Sequence, residues 1–131
     1  MSVLTVINLI LIIILAVMLI NMLTISIMLH RSAKQLEEAE FKKAMKNQQL
    51  IDTRERNVFV SGHIKGARNF PYTMLKEVGQ SLRHDRPIYL YAQTRAMEAR
   101  AANVLRKQGF KDIYVLKGGF DQWTGEIKKS K

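Results

Sequence analysis

Few side chains of this sequence could act as nucleophiles, general bases or metal ligands. None of the 131 residues is a cysteine, which excludes disulfides, thiolate metal sites and cysteine nucleophiles. The three histidines, His30, His63 and His84, stand far apart, and none belongs to a cluster at metal-ligand spacing, so we expect no metal and no cofactor. His63 has the chemistry of a general base, but no nucleophile accompanies it, which favours a structural role.

A second group of residues has the pattern of loops that meet at the end of a sheet. Asp52 and Arg54 follow an apolar run, and such a pair can tie neighbouring loops through a charge-assisted hydrogen bond. Gly62 and Gly66 permit a tight turn. The glycine pair 118–119 allows a chain reversal, after which the aromatic residues that follow can pack onto the domain.

These residues must be positioned by strands and helices that the apolar pattern indicates. Apolar runs at 49–52, 87–91 and 113–116 are typical of short strands, and the continuous run of the second favours burial on both faces. Residues 97–108 carry apolar side chains at helical spacing, and Gly109 marks the end of that helix. Strand, helix and strand in this order form a βαβ unit, so we predict an α/β fold with a parallel central sheet flanked by helices.

The distribution of charge divides the chain into two parts. The formal net charge is +10, yet all 21 Lys and Arg and all 11 Asp and Glu lie at or beyond Arg31. Residues 3–29 form an uncharged and mostly apolar run, well beyond the roughly 18 residues that indicate a transmembrane helix. We therefore predict a single transmembrane helix that contacts the lipid bilayer through residues 3–29, followed by one basic domain.

A cleaved signal peptide is the alternative for the N-terminal run. Signal peptides have a basic N-terminal region, a short apolar core and a cleavage site with small residues. Here no basic residue precedes the run, the run is longer, and no Ala-x-Ala follows it, so an uncleaved anchor is favoured. Lys and Arg follow the run and do not precede it, which predicts a single-pass protein of the cell membrane with its N-terminus outside and its C-terminal domain in the cytoplasm.

The stretch after the membrane segment, residues 32–46, is rich in helix formers and contains no Gly or Pro, so we predict one or two helices there. Its basic residues could contact anionic lipid headgroups, or the stretch could be a solvated helix face, since three glutamates lie among them. The predicted organisation is a transmembrane anchor at 1–30, a juxtamembrane helical segment and start of the domain at 31–46, a domain at 36–128 and a basic tail at 129–131.

Four motifs, taken together and in this order, resemble the rhodanese-like domain family. Residues 50–55 (Leu-Ile-Asp-Thr-Arg-Glu) and 62–71 (Gly-His-Ile-Lys-Gly-Ala-Arg-Asn-Phe-Pro) resemble its Leu-Ile-Asp-x-Arg and Gly-His-Ile-x-Gly-Ala-x-Asn-x-Pro signatures. Residues 101–110 are similar to the helix after its active loop, and residues 115–123 are similar to its closing segment. The apolar segment before the domain further resembles a membrane-anchored rhodanese-like subgroup of Gram-positive bacteria. The resemblance implies a rhodanese-like fold and a structural role for Asp52, Arg54, Gly62, His63, Gly66, Gly118, Gly119 and Trp123.

The resemblance also locates an active-site loop. In the family this loop begins with a cysteine that carries sulfur as a persulfide, and amides at a helix N-terminus stabilise the thiolate and the anionic substrate. Ala92 stands at the cysteine position, Arg95 replaces the usual glycine and Met97 replaces the usual arginine, so we expect some remodelling. A methyl group cannot attack sulfur, so we assign no catalytic residue and expect an inactive homologue. The corresponding loop residues are Ala92, Gln93, Thr94, Arg95, Ala96 and Met97.

Three interpretations of the function follow. The first is a catalytically inactive domain that binds or positions a cytoplasmic partner, either an unidentified protein or a small anion held by loop amides and Arg95, although the loop could equally be a structural connection. The second is an enzyme: a family-type sulfurtransferase, as the scaffold alone would suggest, or a thiol-independent enzyme in which Arg95, Thr94 and His63 act on a small anion without a general base in place. Nucleic-acid binding is the third, and it is disfavoured because the charges are scattered instead of forming a stripe with aromatic residues.

Overall fold

The protein is built on a central sheet of five parallel strands, and the computed structural model describes residues 2–129. The strands are β1 (Lys34–Leu36), β2 (Gln49–Asp52), β3 (His63–Ile64), β4 (Arg68–Asn69), β5 (Ile88–Tyr91), β6 (Ile113–Leu116) and β7 (Ile127–Lys128). The helices are α1 (Val3–Ser32), α2 (Glu38–Ala44), α3 (Arg56–Ser61), α4 (Leu75–Val78) and α5 (Arg95–Lys107). The sheet has the order β1-β6-β5-β2-β4, while β3 and β7 form a separate antiparallel pair.

Side chains of the central strands alternate between the two faces of the sheet and form two layers of core. Ile88 and Leu90 of β5 pack in the layer that contains α1, α4 and α5, whereas Tyr89 and Tyr91 pack in the layer that contains α2. All four are buried, as expected for a strand covered on both faces. The strands predicted at 49–52, 87–91 and 113–116 are present, the second beginning one residue later, and the α/β fold with a parallel sheet is confirmed.

Helix α5 packs on one face of the sheet and begins within the predicted loop. It begins at Arg95, after a Thr94 residue with extended backbone, and it ends near Gly109, whose φ of +98° lets the chain leave the helix. Ala101 and Leu105 are buried against the sheet. The helix predicted at 97–108 is therefore confirmed with slightly shifted ends.

Helix α1 (Val3–Ser32) is long enough and apolar enough to cross a membrane, by length and composition. Residues 3–24 are exposed along their whole length, whereas Ile25, Met28 and Leu29 pack against the core layer that contains α5. Leu29 has none of its surface exposed. The last two turns of α1 therefore belong to the domain, and the part of the apolar run that is free to face lipid is shorter than the predicted 3–29.

The segment after α1 differs from its prediction. Helices are predicted for residues 32–46, and this is wrong for Lys34–Leu36, which forms the edge strand β1. This strand pairs in parallel with β6, and Leu36 is buried in the same layer as Phe41 of α2. The pairing and the burial outweigh the local helix propensity, so the second helix begins only at Glu38.

The turn between β3 and β4 requires glycine at one position. Gly66 has a φ of +92°, and the following N–H, that of Ala67, donates to the Ile64 carbonyl at 3.0 Å. Gly62 lies in the turn that ends α3, where its N–H donates to the Phe59 carbonyl at 3.2 Å. Its φ of 162° is an extended backbone that any residue can adopt, so this position does not require glycine.

The end of the chain pairs with the domain before the predicted tail begins. Strand β7 lies antiparallel to β3, a pairing that no sequence pattern indicates because each strand has two residues. Of the tail predicted at 129–131, Ser130 and Lys131 lie outside the described residues.

Candidate functional site

The loop predicted to correspond to the family's active loop, residues 92–97, lies at the carboxyl edge of the sheet. Strands β2, β5 and β6 are parallel neighbours, so the segments that follow them meet at this edge. They bond to each other directly: the Thr53 N–H donates to the Tyr91 carbonyl at 3.0 Å, and the Phe120 N–H donates to the Ala92 carbonyl at 2.9 Å. The topology thus brings together motifs that are far apart in the sequence.

Arg54 is the centre of the hydrogen-bond network at this edge. Its guanidinium donates to the Asp52 carboxylate from Nε at 3.0 Å and from Nη2 at 2.7 Å, and both side chains are buried. Nη2 also donates to the Gly62 carbonyl at 2.6 Å, and Nη1 donates to Oε1 of Gln93 at 3.2 Å. This buried ion pair therefore joins the turn after α3 to the loop after β5.

Two aromatic rings cover the Arg54 guanidinium. The guanidinium carbon lies 3.9 Å from the ring centre of Phe120 and 5.6 Å from that of Tyr91. The Tyr91 hydroxyl accepts the Ile64 N–H at 3.0 Å. Burial and the nearby Asp52 carboxylate raise the pKa of Tyr91 far above its usual range, so this hydroxyl stays neutral and acts as a structural hydrogen-bond partner.

The glycine pair 118–119 lets the chain after β6 approach the loop closely. Both residues have positive φ, and a Cβ on Gly119 would lie 2.6 Å from the carbonyl oxygen of Gln93. Beyond the pair, Trp123 packs against the core layer that contains α2, and its indole N–H donates to the Glu126 carbonyl at 3.4 Å. The glycines therefore permit a backbone contact that would be sterically blocked by a side chain at 119.

Ala92 is buried at the start of the loop, with 2% of its surface exposed. Gln93 is held through its side chain, which accepts from the Arg54 guanidinium and donates to Asp121. Thr94 caps α5, because its hydroxyl oxygen accepts the N–H of Met97 at 3.5 Å. Several hydrogen-bonding groups of the loop are thus already bonded within the protein.

Arg95 bonds to the long N-terminal helix. Its Nη2 donates to the Ser26 hydroxyl of α1 at 3.1 Å. The loop accommodates Arg95 because α5 begins at this residue. Arg95 does not have a positive φ, since in the described part of the chain Asn47 is the one non-glycine residue that does. Ala96 follows in the first turn and is partly buried. An anion held by Arg95 and the loop amides stays a prediction.

Glu98, in the first turn of α5, is completely buried. Neither of its carboxyl oxygens has a hydrogen-bond partner among the described residues. Burial raises the pKa of Glu98 to about 9, and the nearby Ala92 backbone amide, which does not reach hydrogen-bond geometry, and the Arg95 guanidinium offset this only in part. The side chain is therefore a neutral acid at pH 7 that lies beside the Ala92 backbone.

The histidine with base chemistry belongs to a structural cluster. His63 is buried in β3, its Nδ1 lies 2.9 Å from the Phe59 carbonyl oxygen, and its ring stacks on that of Phe59 at 3.8 Å. It therefore contacts α3, whereas Thr94 caps α5 and Arg95 contacts α1. Within residues 2–129, no group of three or more His, Cys, Asp or Glu side chains is placed to hold a metal ion.

Sequence reasoning missed two residues of this site, Glu98 and Ser26. Glu98 stands at helical spacing from Ala101, Ala102 and Leu105, so the period of the helix could have indicated that it lies on the buried face. The contact of Ser26 with the loop depends on how α1 packs on α5, and no local pattern carries that information.

Comparisons with known proteins agree with this geometry. A family model of the rhodanese-like domain matches residues 37–126. The uncharacterized protein YqhL of Bacillus subtilis is 46% identical over 124 residues, which cover 95% of this chain and 98% of that protein. Thiosulfate sulfurtransferase GlpE of Shewanella oneidensis is 35% identical over 94 residues, which cover 72% of this chain and 90% of that protein. The crystal structure of the Alr3790 protein from Anabaena matches with a TM-score of 0.67 and 28% identity, covering 72% of this chain and 82% of the other. On sequence and on structure alike, this chain belongs to the rhodanese-like domain family.

Proposed function

We propose that the protein is a membrane-anchored rhodanese-like module that binds or positions a partner at the cytoplasmic membrane surface and transfers no sulfur through a thiol of its own. The observation that carries this proposal is the buried methyl group of Ala92, the residue that the resemblance assigns to the position of the family's cysteine. Persulfide chemistry needs a nucleophilic thiolate, and the sequence contains no cysteine. The activity in the name of the Shewanella relative is therefore not proposed for this chain.

The retained scaffold supports a binding role. The Arg54 network and the close approach of Gly119 fix the loop from two sides, although the nucleophile is missing. Thr94 and Arg95 are exposed at the carboxyl edge of the sheet, which is where α/β proteins bind their ligands. A rigid loop with exposed polar residues suits the recognition of a partner that needs no covalent step.

The dimensions of α1 support the anchor. Its exposed stretch 3–24 is about 33 Å long at about 1.5 Å per residue, enough for a hydrocarbon layer of roughly 30 Å. Lys and Arg occur only beyond this stretch, which favours a domain in the cytoplasm. Ser26, which holds Arg95, lies only about 3 Å further along the helix axis than Thr24, so the loop would lie next to the membrane surface.

The full chain, purified in detergent, tests the first part of the proposal. With thiosulfate and cyanide we expect no more thiocyanate than a heat-inactivated sample yields. A sulfane adduct on the wild-type chain, detected by intact mass spectrometry, would contradict the proposal.

Two variants test whether the loop can support persulfide chemistry when a thiol is supplied at position 92. Because the Glu98 acid lies beside the Ala92 backbone, we expect Ala92→Cys alone to gain little persulfide and Ala92→Cys with Glu98→Ser to gain more. Ala92→Ser with Glu98→Ser is the matched control, since it lacks the thiol. Equal reactivity of the single and double cysteine variants would mean that the acid does not affect the pocket.

Site-specific cross-linking in intact membranes tests the partner. A photoreactive residue at Gln122, exposed beside the loop, should give a discrete adduct, whereas one at Lys43 on α2 should not. Identical patterns from both positions would argue against a binding surface at the loop.

A further inference from the structure

We propose that the groove between α1, α4 and α5 binds the headgroup of an anionic phospholipid. This inference rests on the proposed anchor, because it places the groove beside the bilayer. It concerns a site away from the loop, and it involves none of the basic residues of the juxtamembrane stretch.

The groove is a cavity of about 570 Å³, a size within the range of small-molecule sites. It is formed where α4 and the residues before it face α5, with one side chain of α1 closing the end. Both apolar and basic side chains line it, so it can hold a charged headgroup and the start of an acyl chain. The residues that carry the argument are Met28, Tyr72, Lys76, Arg100, Val104 and Lys107.

The charge of the groove fits a phosphate. Lys76, Arg100 and Lys107 are exposed and line it, and no Asp or Glu is among its lining residues. None of the three forms an ion pair within 4 Å in the described part of the chain. Three cations without carboxylate partners offer charge-assisted hydrogen bonds to an anionic oxygen group, and each basic residue near a membrane surface adds about 1 kcal/mol of attraction to anionic lipid.

The position of the groove along α1 matches the headgroup layer. Met28 lies four residues beyond Thr24, the end of the exposed apolar stretch, which is about 6 Å along the helix axis. A second cavity of about 320 Å³ shares Met28 and Asn103 with the groove and is also lined by Thr24 and Ser32, so polar groups continue beside the helix at this depth. A lipid that enters from the same leaflet would therefore meet the cations with its phosphate while its acyl chains stay beside α1.

Native mass spectrometry of the delipidated full chain in detergent tests the site. We expect phosphatidylglycerol to bind more tightly than phosphatidylcholine. The variant Lys76→Gln with Arg100→Gln and Lys107→Gln should weaken the phosphatidylglycerol affinity at least about tenfold. These side chains are exposed, so the thermal unfolding of this variant should stay close to that of the wild type.

The matched control removes the same charge elsewhere. Lys42→Gln with Lys43→Gln and Lys46→Gln changes the other face of the sheet, around α2, and should weaken the affinity less than about twofold. Equal losses in the two variants would overturn the proposal, because they would indicate general attraction to a basic domain. Equal affinity for phosphatidylcholine would overturn it too, as would equally tight binding of free glycerol phosphate.

The anchor is tested separately by alkaline carbonate extraction of cell membranes. Release of the chain would refute the membrane anchor of the proposed function. Retention of the chain together with no preference for phosphatidylglycerol would refute the groove alone.

Discussion

Two buried carboxyl groups, those of Asp52 and Glu98, lie near the loop and differ in their hydrogen bonding. Asp52 accepts hydrogen bonds from the backbone N–H of Arg54 at 2.9 Å and from its guanidinium at 2.7 Å. Glu98 has no partner for either oxygen, and its burial raises its pKa to about 9. The first carboxylate is part of a satisfied network, whereas the second is kept neutral by its surroundings.

The difference separates the part of the site that internal hydrogen bonds satisfy from the part that they do not. The Asp52 and Arg54 pair belongs to a motif of the family and holds together three segments of the carboxyl edge. Glu98 follows the loop in which the resemblance assigns Ala92 to the position of the cysteine. This contrast agrees with the proposed function, in which the Asp52 and Arg54 pair supports the fold and no thiolate chemistry takes place at the loop.

The largest loss of stability should come from breaking the ion pair between Asp52 and Arg54. Arg54→Met leaves the Asp52 carboxylate buried without its cation, which should lower the free energy of unfolding by about 3–5 kcal/mol. Urea unfolding of the full chain in detergent, followed by the fluorescence of Trp123, measures this.

The control for this change is an ion pair of the same spacing at the surface. Arg83 and Asp85 approach to 2.6 Å but are mostly exposed, so Arg83→Met should lower the free energy of unfolding far less than Arg54→Met does. Similar losses in the two variants would mean that the burial of the Asp52 and Arg54 pair does not set its contribution.

The unbonded acid should make stability depend on pH. The pKa of Glu98 is about 9 in the folded chain and near 4.5 when unfolded, so between these values the folded state holds one proton more than the unfolded state. The free energy of unfolding should then fall as pH rises, by up to about 1.4 kcal/mol per pH unit or about 4 kcal/mol from pH 5 to pH 8. Glu98→Gln should flatten this slope, and Glu77→Gln, at an exposed position, should leave it unchanged.

A smaller loss of stability should follow from adding a side chain at Gly119, against the loop backbone. Gly119→Ala places a methyl group against the Gln93 carbonyl at positive φ, so we expect a loss of about 2–3 kcal/mol. Gly66→Ala is the control for φ alone, because nothing lies within 4 Å of its Cβ position, and it should cost about 1–2 kcal/mol. Equal losses would show that the close approach to the loop has little energetic weight.

The sequence predicts the sheet well because its strands are buried on both faces. The apolar runs of β2, β5 and β6 and the helical period of α5 are local signals that tertiary packing reinforces. Edge strand β1 is missed since Lys34–Leu36 has helix-forming neighbours, and only its pairing with β6 makes it a strand.

The sequence predicts the motif that forms the ion pair of the candidate site, but it does not predict the other contacts of that pair. The Asp52 and Arg54 spacing indicates an ion pair, yet its other partners, Gly62 and Gln93, depend on the meeting of separate loops. Glu98 could have been placed on the buried face from helical spacing alone. The absence of any bond to its carboxyl group is a property of the packed core, which no spacing records.

The smallest effect should be found where the loop meets α1. The hydrogen bond from Arg95 to Ser26 is exposed, so Ser26→Ala should lower the free energy of unfolding by only about 0.5–1 kcal/mol. A double-mutant cycle with Arg95→Ala isolates the contact, and Thr24→Val, whose hydroxyl bonds within α1 at 2.8 Å, serves as the control partner. Coupling between Ser26 and Arg95 but not between Thr24 and Arg95 would show that α1 fixes the Arg95 side of the loop, as the ion pair with Asp52 fixes the Gln93 side. Strict additivity in both cycles would mean that the loop keeps its position without α1.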